Sequence, residues 1–379
     1  MENAEKILGE LVGINSVFPG EGQLAHHIRE FLEKKGFKTK LSEVQPGRYN
    51  LLAENGGEGR ALLFYGHLDT VPVYGEWRTN PFSLSSDGSK MYGLGVCDMK
   101  GSIAGMLSIL DKGIKRNMKL LFCVDEENIS RGAWHAVENE REWFRDVSFI
   151  LSGDAAVSDT YAGGADTITA GRRGRTVIDI DVEGVSSHGS SPERGVSAID
   201  EAAKIVSNIK RFELRKHPEM GMEAIFVREV TAASTSLAIP EKAHMELDIQ
   251  LVPPSTAEDA MKRSEKFAEA LRAENILDQR TKLRIGIHKR DTPYIKPFAT
   301  ALDTEKLRIL LNVIASRNGK AKINYSNSVA DDNVFATELG LPVVCIAPMG
   351  GREHSTDEWI SRKSLGEVSS LYEALAEKL

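Results

Sequence analysis

The sequence predicts an α/β fold: a mostly parallel sheet flanked by helices, with an inserted ferredoxin-like α+β domain. Three observations predict it. Apolar runs of strand length alternate with amphipathic helical stretches over residues 2–151, the pattern of a sheet covered by helices. A β-α-β-β-α-β order then occupies residues 175–288. The chain has 379 residues, too many for one ordinary core. The expected organisation is a discontinuous catalytic domain, residues 1–174 and 289–379, interrupted by a lid or dimerisation domain at 175–288.

The elements run in this order. Residues 2–14 and 22–35 carry apolar side chains at helical spacing. Residues 49–53 and 61–65 predict strands, the second leading into His67. Residues 99–112 predict a helix beginning beside Asp98, and 119–124 a strand ending at Asp125-Glu126-Glu127. A helix at 131–142 precedes a strand at 147–151, which ends near Asp154. In the insertion, residues 176–183 alternate as a half-buried strand does. A helix at 197–211, strands at 224–231 and 244–251, a helix at 256–273 and a strand at 282–287 complete it. Helices at 304–317 and 334–339, a strand at 343–347 running toward His354, and a helix at 362–378 close the chain.

Composition narrows the function. The chain is 41% hydrophobic and 27% charged, with a net charge of −7, so a nucleic-acid surface has no support. No apolar run approaches the roughly 20 residues that span a bilayer. The first residues are polar and mixed in charge, unlike a signal peptide, so a cytoplasmic enzyme is expected. Cys97, Cys123 and Cys345 are too few for a disulfide framework and read as buried thiols.

Chemistry-bearing residues gather after apolar runs, where sheets of this class bind ligands. Two His and several carboxylates form the ligand set of a two-metal hydrolytic site. His67 and Asp69 lie two apart in extended chain and share a face; Asp69 is the natural carboxylate for the second ring nitrogen of His67. Asp98 sits among Gly93, Gly95 and Gly101; it can bridge two cations, or simply cap a helix. Glu126 and Glu127 repel one another if buried, so they need a cation or a shared proton; exposed, they are two ordinary loop residues. His354 lies in a polar, glycine-opened loop and reads equally as ligand or solvated side chain. His188, inside the insertion, reads from spacing as a loop histidine; functionally it would donate to developing oxyanion charge. His26, His27, His135, His217, His244 and His288 read as surface or structural.

The segments GHLDTVP (66–72), GLGVCDMKG (93–101), DEEN (125–128), HGSSPERGVSAI (188–199) and GGREHSTDE (350–358), taken in order, resemble the zinc-dependent exopeptidases and amino-acid deacylases. That family includes acetylornithine deacetylase, succinyl-diaminopimelate desuccinylase, acetyl-lysine deacetylase, aminoacylase and glutamate carboxypeptidase. The resemblance covers essentially the whole chain. It implies a di-zinc catalytic domain in which His67 and Asp154 bind one ion, Glu127 and His354 the other, and Asp98 both. Co2+ or Mn2+ would suit the same ligands. It further implies that Asp69 orients His67, that Glu126 is the general base, and that His188 stabilises the oxyanion, from the partner subunit in dimeric members. Asp331 matches a recurrent Asp. With the turn at Asp98, the resemblance predicts a cis Asp98–Met99 peptide.

Two positions depart from the family. Leu237 stands where Asn is common, and Gln250 where Arg commonly meets the substrate carboxylate. Arg172, Arg173, Arg228 or Arg352 is left to take that part. The segment 126–133 is similar to the branch that releases lysine or ornithine from a blocking group, in some members an amino-group carrier protein. The reading is therefore a homodimeric amide hydrolase that removes an N-acyl group from an amino acid or small peptide-like substrate. Its rivals are a dipeptidase or carboxypeptidase on the same site and a non-catalytic binding protein.

Overall fold

The computed structural model describes residues 2–154, 163–234 and 236–379. The chain divides into two compact units, Met1–Gly171 with Ala299–Leu379, and Arg172–Phe298.

Among the described residues the first unit is built on a nine-stranded sheet. Its central strand, Glu58–His67, pairs in parallel with Arg116–Cys123 on one side and Val147–Ser152 on the other. Val343–Cys345 extends the parallel set beyond Val147–Ser152. Strands Lys38–Gln45 and Arg48–Glu54 finish one flank antiparallel. Neighbours on the central strand reach opposite helical layers, as period-two alternation requires. Phe64 stacks edge-on against Tyr372 of helix Arg362–Lys378. Tyr65 meets Phe335 of helix Asp331–Glu338. Helices Glu2–Val12, Gly101–Ser108 and Arg362–Lys378 pack together on the first face, and Arg131–Asn139 packs on Asp331–Glu338 on the second. Residues 61–67 are all buried, which is why this strand reads as an unbroken apolar run.

The structure departs from the sequence expectation in places. The helix expected over 99–112 begins only at Gly101 and ends at Ser108. Asp98 and Met99 have non-helical backbone, with φ −125° and −134°. Lys38–Gln45 forms a strand outside the expected set; its polar KTKLSEVQ pattern belongs to a half-exposed flank. A further small sheet joins Ser85–Ser86, Lys90–Tyr92, Trp359–Ser361 and Gly350–Gly351. Strands this short give no periodic signal.

Among the described residues the main sheet of the second unit has four antiparallel strands in the spatial order Ala224–Ala232, Lys242–Leu251, Gly174–Glu183, Lys282–Ile287. With helices Ala198–Asn208 and Ala257–Ala273 this is the ferredoxin-like arrangement. Both helices are capped by a hydroxyl: Ser197 accepts from Asp200 N and Thr256 from Asp259 N. Ile178, Ile180, Val182, Met245, Leu247 and Ile249 form its core with helix residues such as Ala202 and Phe267. Segment 289–298 belongs to this unit, tied by the Arg175 N–H to Ile295 O at 2.9 Å.

Candidate functional site

The sheet delivers the site residues from the C-terminal ends of its parallel strands. His67 closes the central strand in register with Cys123, and Tyr65 is in register with Ser152. One strand therefore hands over to Asp125-Glu126-Glu127 and the next to Asp154.

Two triads result. One ligand atom each from His67, Asp98 and Asp154 lie within 4.8 Å of one another, and so do those from Asp98, Glu127 and His354. Asp98 belongs to both. Its Oδ1 is 2.9 Å from His67 Nε2, and its Oδ2 is 3.4 Å from His354 Nε2. His354 Nε2 also lies 2.8 Å from Glu127 Oε2. Each triad offers one imidazole and two carboxylates, a donor set that suits a divalent ion such as zinc, and a shared carboxylate with one oxygen toward each triad suits a pair.

The loop carrying Asp98 is shaped by its neighbours. Gly95 has φ +77°, left-handed backbone that favours glycine. A Cβ on Gly101 would overlap Val96 O and Ile360 Cδ1. The Asp98–Met99 peptide is cis. Glu358 accepts the N–H groups of Gly95, Cys97 and Asp98 at 2.7, 2.7 and 3.0 Å, a clamp on this turn that sequence reasoning missed.

His67 is oriented differently from the expectation. Its Nδ1 meets the backbone carbonyl of Asp69 at 3.0 Å, whereas the Asp69 carboxylate is 3.7 Å away. That carbonyl only accepts, so Nδ1 carries a proton, which leaves Nε2 as the nitrogen that would ligate an ion shared with Asp98. The Asp69 carboxylate instead accepts the N–H groups of Glu126 and Glu127 at 3.2 and 2.9 Å. It holds the loop that carries both glutamates. Arg48 and Glu21 brace the same loop: Arg48 Nη1 donates to Asp125 Oδ1 at 3.0 Å and its Nε to Glu21 Oε2 at 3.0 Å. Gly132 lets the following helix approach, because a Cβ there would overlap Val124 O.

The electrostatics are those of crowded carboxylates. Desolvation and then the charge of Asp154 push the Glu126 carboxyl well above its ordinary range. Burial first pushes Asp69 and Asp331 each to about 7. Asp331 opens a helix, and its Oδ2 accepts the Tyr65 hydroxyl at 2.5 Å. Burial also acts on Asp98, but hydrogen bonds from His354 and His67 outweigh it and hold that carboxyl far below the usual value. The same bonds to Asp98 and Glu127 lift His354 to about 11. Burial opposes charge on His67, yet Asp98, Glu126 and Asp69 together raise it. Such mutual demand for positive charge is what a pair of cations would meet.

His188 lies in the second unit, in a loop bridged to Ala238. The Ser190 N–H donates to its Nδ1 at 3.1 Å, which leaves the ring proton on Nε2 as a donor. Of the arginines left for the substrate, Arg172 is buried, Arg173 donates to Met220 O and Met222 O, and Arg228 lies 3.4 Å from Glu246. Arg352 is exposed; with Arg78, Lys90, Tyr92, Asp357 and Trp359 it lines a cavity of about 390 Å3. The three cysteines are buried thiols and form no disulfide among the described residues. Among the described residues no helix is long and apolar enough to cross a membrane.

The profile of peptidase family M20/M25/M40 matches residues 63–378. The chain is similar to a succinyl-diaminopimelate desuccinylase of Stenotrophomonas maltophilia, 24% identical over 98% of this chain and 97% of that one. Among solved structures it is similar to a tripeptidase from Staphylococcus aureus, with TM-score 0.79, 20% identity and coverage of 99% and 97%. It is also similar to a dinuclear metal binding peptidase of Bacillus subtilis, with TM-score 0.74, 17% identity and coverage of 99% and 97%.

Proposed function

Since the chain belongs to peptidase family M20/M25/M40, we propose that it releases an N-acyl group from an amino acid at a two-metal site in its first unit. Membership makes it a metal-dependent hydrolase of the peptidase and amidohydrolase kind. The observation that carries the two-metal reading is the pair of ligand triads meeting at Asp98 with Glu126 beside them, and the similarity to a succinyl-diaminopimelate desuccinylase supports N-acyl release. His67 and Asp154 would hold one ion, Glu127 and His354 the other, and Asp98 both. When bound, the ions supply Lewis-acid polarisation of the scissile carbonyl and make attacking water more acidic.

The remaining work falls to side chains. Glu126 takes a proton from the attacking water and returns it to the leaving amine, a role suited to a carboxyl whose surroundings raise its pKa. Asp69 fixes Glu126 through its backbone N–H, and fixes His67 through its own carbonyl. His188 offers an Nε2 proton to the developing oxyanion after the second unit closes, within the chain or from a partner in a homodimer. Zinc is the ion the His-carboxylate ligand set favours, with Co2+ or Mn2+ as working substitutes.

Hydrolysis of a panel of N-acetyl and N-succinyl amino acids, set against dipeptides, tests this with added Zn2+, Co2+ or Mn2+. The acylated amino acids should turn over fastest, with activity lost to chelation and restored by metal. Preferential cleavage of dipeptides would make the chain a peptidase on the same site. No metal-dependent turnover of either class would overturn the catalytic reading.

A further inference from the structure

The geometry points to a separate divalent-metal site on the sheet of the second unit, formed by Asp179, Glu246, His288 and His244. Strand register puts three of them on one face. Asp179 faces Glu246 across the ladder, and Asp181 faces His244. The alternating residues Ile178, Ile180, Met245 and Leu247 enter the core beneath the helices, so the charged set occupies the opposite face. His288 comes just after the neighbouring strand, its N–H donating to Val177 O at 2.9 Å.

The donor atoms converge. Ligand atoms of Asp179, Glu246 and His288 all lie within 4.8 Å of one another. His288 Nδ1 is 2.8 Å from Asp179 Oδ1 and 3.5 Å from Glu246 Oε1. His244 Nε2 is 4.0 Å and 3.9 Å from the same two oxygens. Four ligands at zinc bond lengths stand about 3.4 Å apart in a tetrahedron, and these separations bracket that value. The catalytic triad of Asp98, Glu127 and His354 has the same compact form, with separations of 2.8 and 3.4 Å.

Two further observations favour a cation over a plain ion-pair cluster. His244 Nδ1 meets the Asp181 carboxylate at 2.9 Å. A carboxylate there holds the proton on Nδ1 and aims the Nε2 lone pair at Asp179 and Glu246, the arrangement common behind metal-bound imidazoles. Glu246 is the second. Its side chain is only 8% exposed; Oε1 turns toward the two imidazoles, at 3.5 Å from His288 Nδ1 and 3.9 Å from His244 Nε2, while Oε2 lies 3.4 Å from Arg228 Nη1. A carboxylate so far removed from water needs a close counter-charge. The nearby guanidiniums of Arg228 and Arg284 face three carboxylates, Asp179, Asp181 and Glu246.

The test counts metal in the 379-residue chain with the proposed catalytic ligands substituted, His67→Ala with His354→Ala. After loading with Zn2+ or Co2+ chloride and desalting, this chain should retain about one equivalent. The Co2+ form should show the visible absorption of a low-coordinate nitrogen–oxygen site. Adding His288→Ala should remove that equivalent and band, and the near-isosteric Glu246→Gln should do the same with less risk to folding, which circular dichroism checks. Hydrogen exchange of strands Gly174–Glu183 and Lys242–Leu251 should slow on metal addition only while His288 and Glu246 are present. Absence of the equivalent in the chain lacking catalytic ligands, or its survival in folded Glu246→Gln and His288→Ala chains, overturns the site.

Discussion

Glu358 holds Asp98 through its backbone: one oxygen of the Glu358 carboxylate accepts the Asp98 N–H at 3.0 Å and the Cys97 N–H at 2.7 Å. The other oxygen accepts from Gly95 at 2.7 Å. A buried carboxylate thus fixes the turn that aims Asp98 at both triads. Glu358→Gln replaces one acceptor oxygen by an NH2 group facing an N–H donor. It should lower stability by about 1–3 kcal/mol and reduce retained metal. Thermal unfolding and metal content after desalting measure both. Unchanged metal content would show that Asp98 needs no such clamp.

Glu126→Gln should reduce kcat by about 10²–10⁴-fold while leaving metal content unchanged, because Gln is nearly isosteric and cannot take the proton. The Asp69 bond to the residue's N–H survives the change. A variant with wild-type kcat would move the proton transfer to another group.

Much of this centre is legible in the sequence for a plain reason. His67, Glu126, Glu127 and Asp154 come at or just after the ends of buried apolar runs. Parallel strands that end side by side bring such residues to one place. Asp98 is legible through its glycines, of which Gly95 needs left-handed backbone. Glu358 is not, since its acceptor role toward Asp98 joins residues 260 apart and its neighbouring strand is three residues long. Asp69 serves the expected histidine through a different atom: spacing shows that a carboxylate is near, but not that the carbonyl reaches the ring first. His244 and His288 read as structural because the partners that give them meaning lie on other strands.

Arg352 precedes His354 by two residues, lies 3.6 Å from Asp357 and lines an open cavity with Arg78 and Lys90; it is the arginine we propose for the substrate carboxylate. Gln250 is itself engaged, donating to Asp248 at 2.9 Å. Arg352→Ala should raise KM for an acylated amino acid about tenfold, close to 1.4 kcal/mol, with kcat little changed. A substrate amide lacking the free carboxylate should lose this dependence. Equal effects on both substrates would place the clamp elsewhere.

Glu140 sets part of the acid limb of stability. Lys40 Nζ donates to its two oxygens at 2.7 and 2.6 Å, and Ser42 Oγ donates at 2.7 Å. Burial alone would raise this carboxyl, but the bonds from Lys40 and Ser42 hold it below its ordinary 4.5. A group whose folded value is depressed stabilises fully above its unfolded value and loses that contribution as pH falls through the folded one. Glu140→Gln should therefore cost about 1 kcal/mol at neutral pH, and the gap from wild type should close below pH 4.5. Denaturant unfolding across that range measures the gap. A pH-independent offset would assign the loss to packing instead.

The last prediction concerns His188 and the second unit. Its edge strand Ala224–Ala232 leaves Phe226 and Val230 about half exposed, and its outer side pairs with no strand among the described residues. An apolar exposed edge of this kind is a template for pairing with a second copy. We expect a homodimer, and Val230→Lys with Phe226→Glu should shift it toward monomer in sedimentation. His188→Ala should lower kcat and leave metal content intact if, as proposed, its Nε2 proton serves the oxyanion. Mixing His188→Ala with Glu126→Gln subunits then decides whose site it serves. If His188 crosses the interface, one site of each mixed dimer loses both groups and the other keeps both, so activity partly returns. If each chain completes its own site, every site in the mixture is missing one group and no activity returns. A chain that stays monomeric at assay concentration while fully active would remove the crossing arrangement.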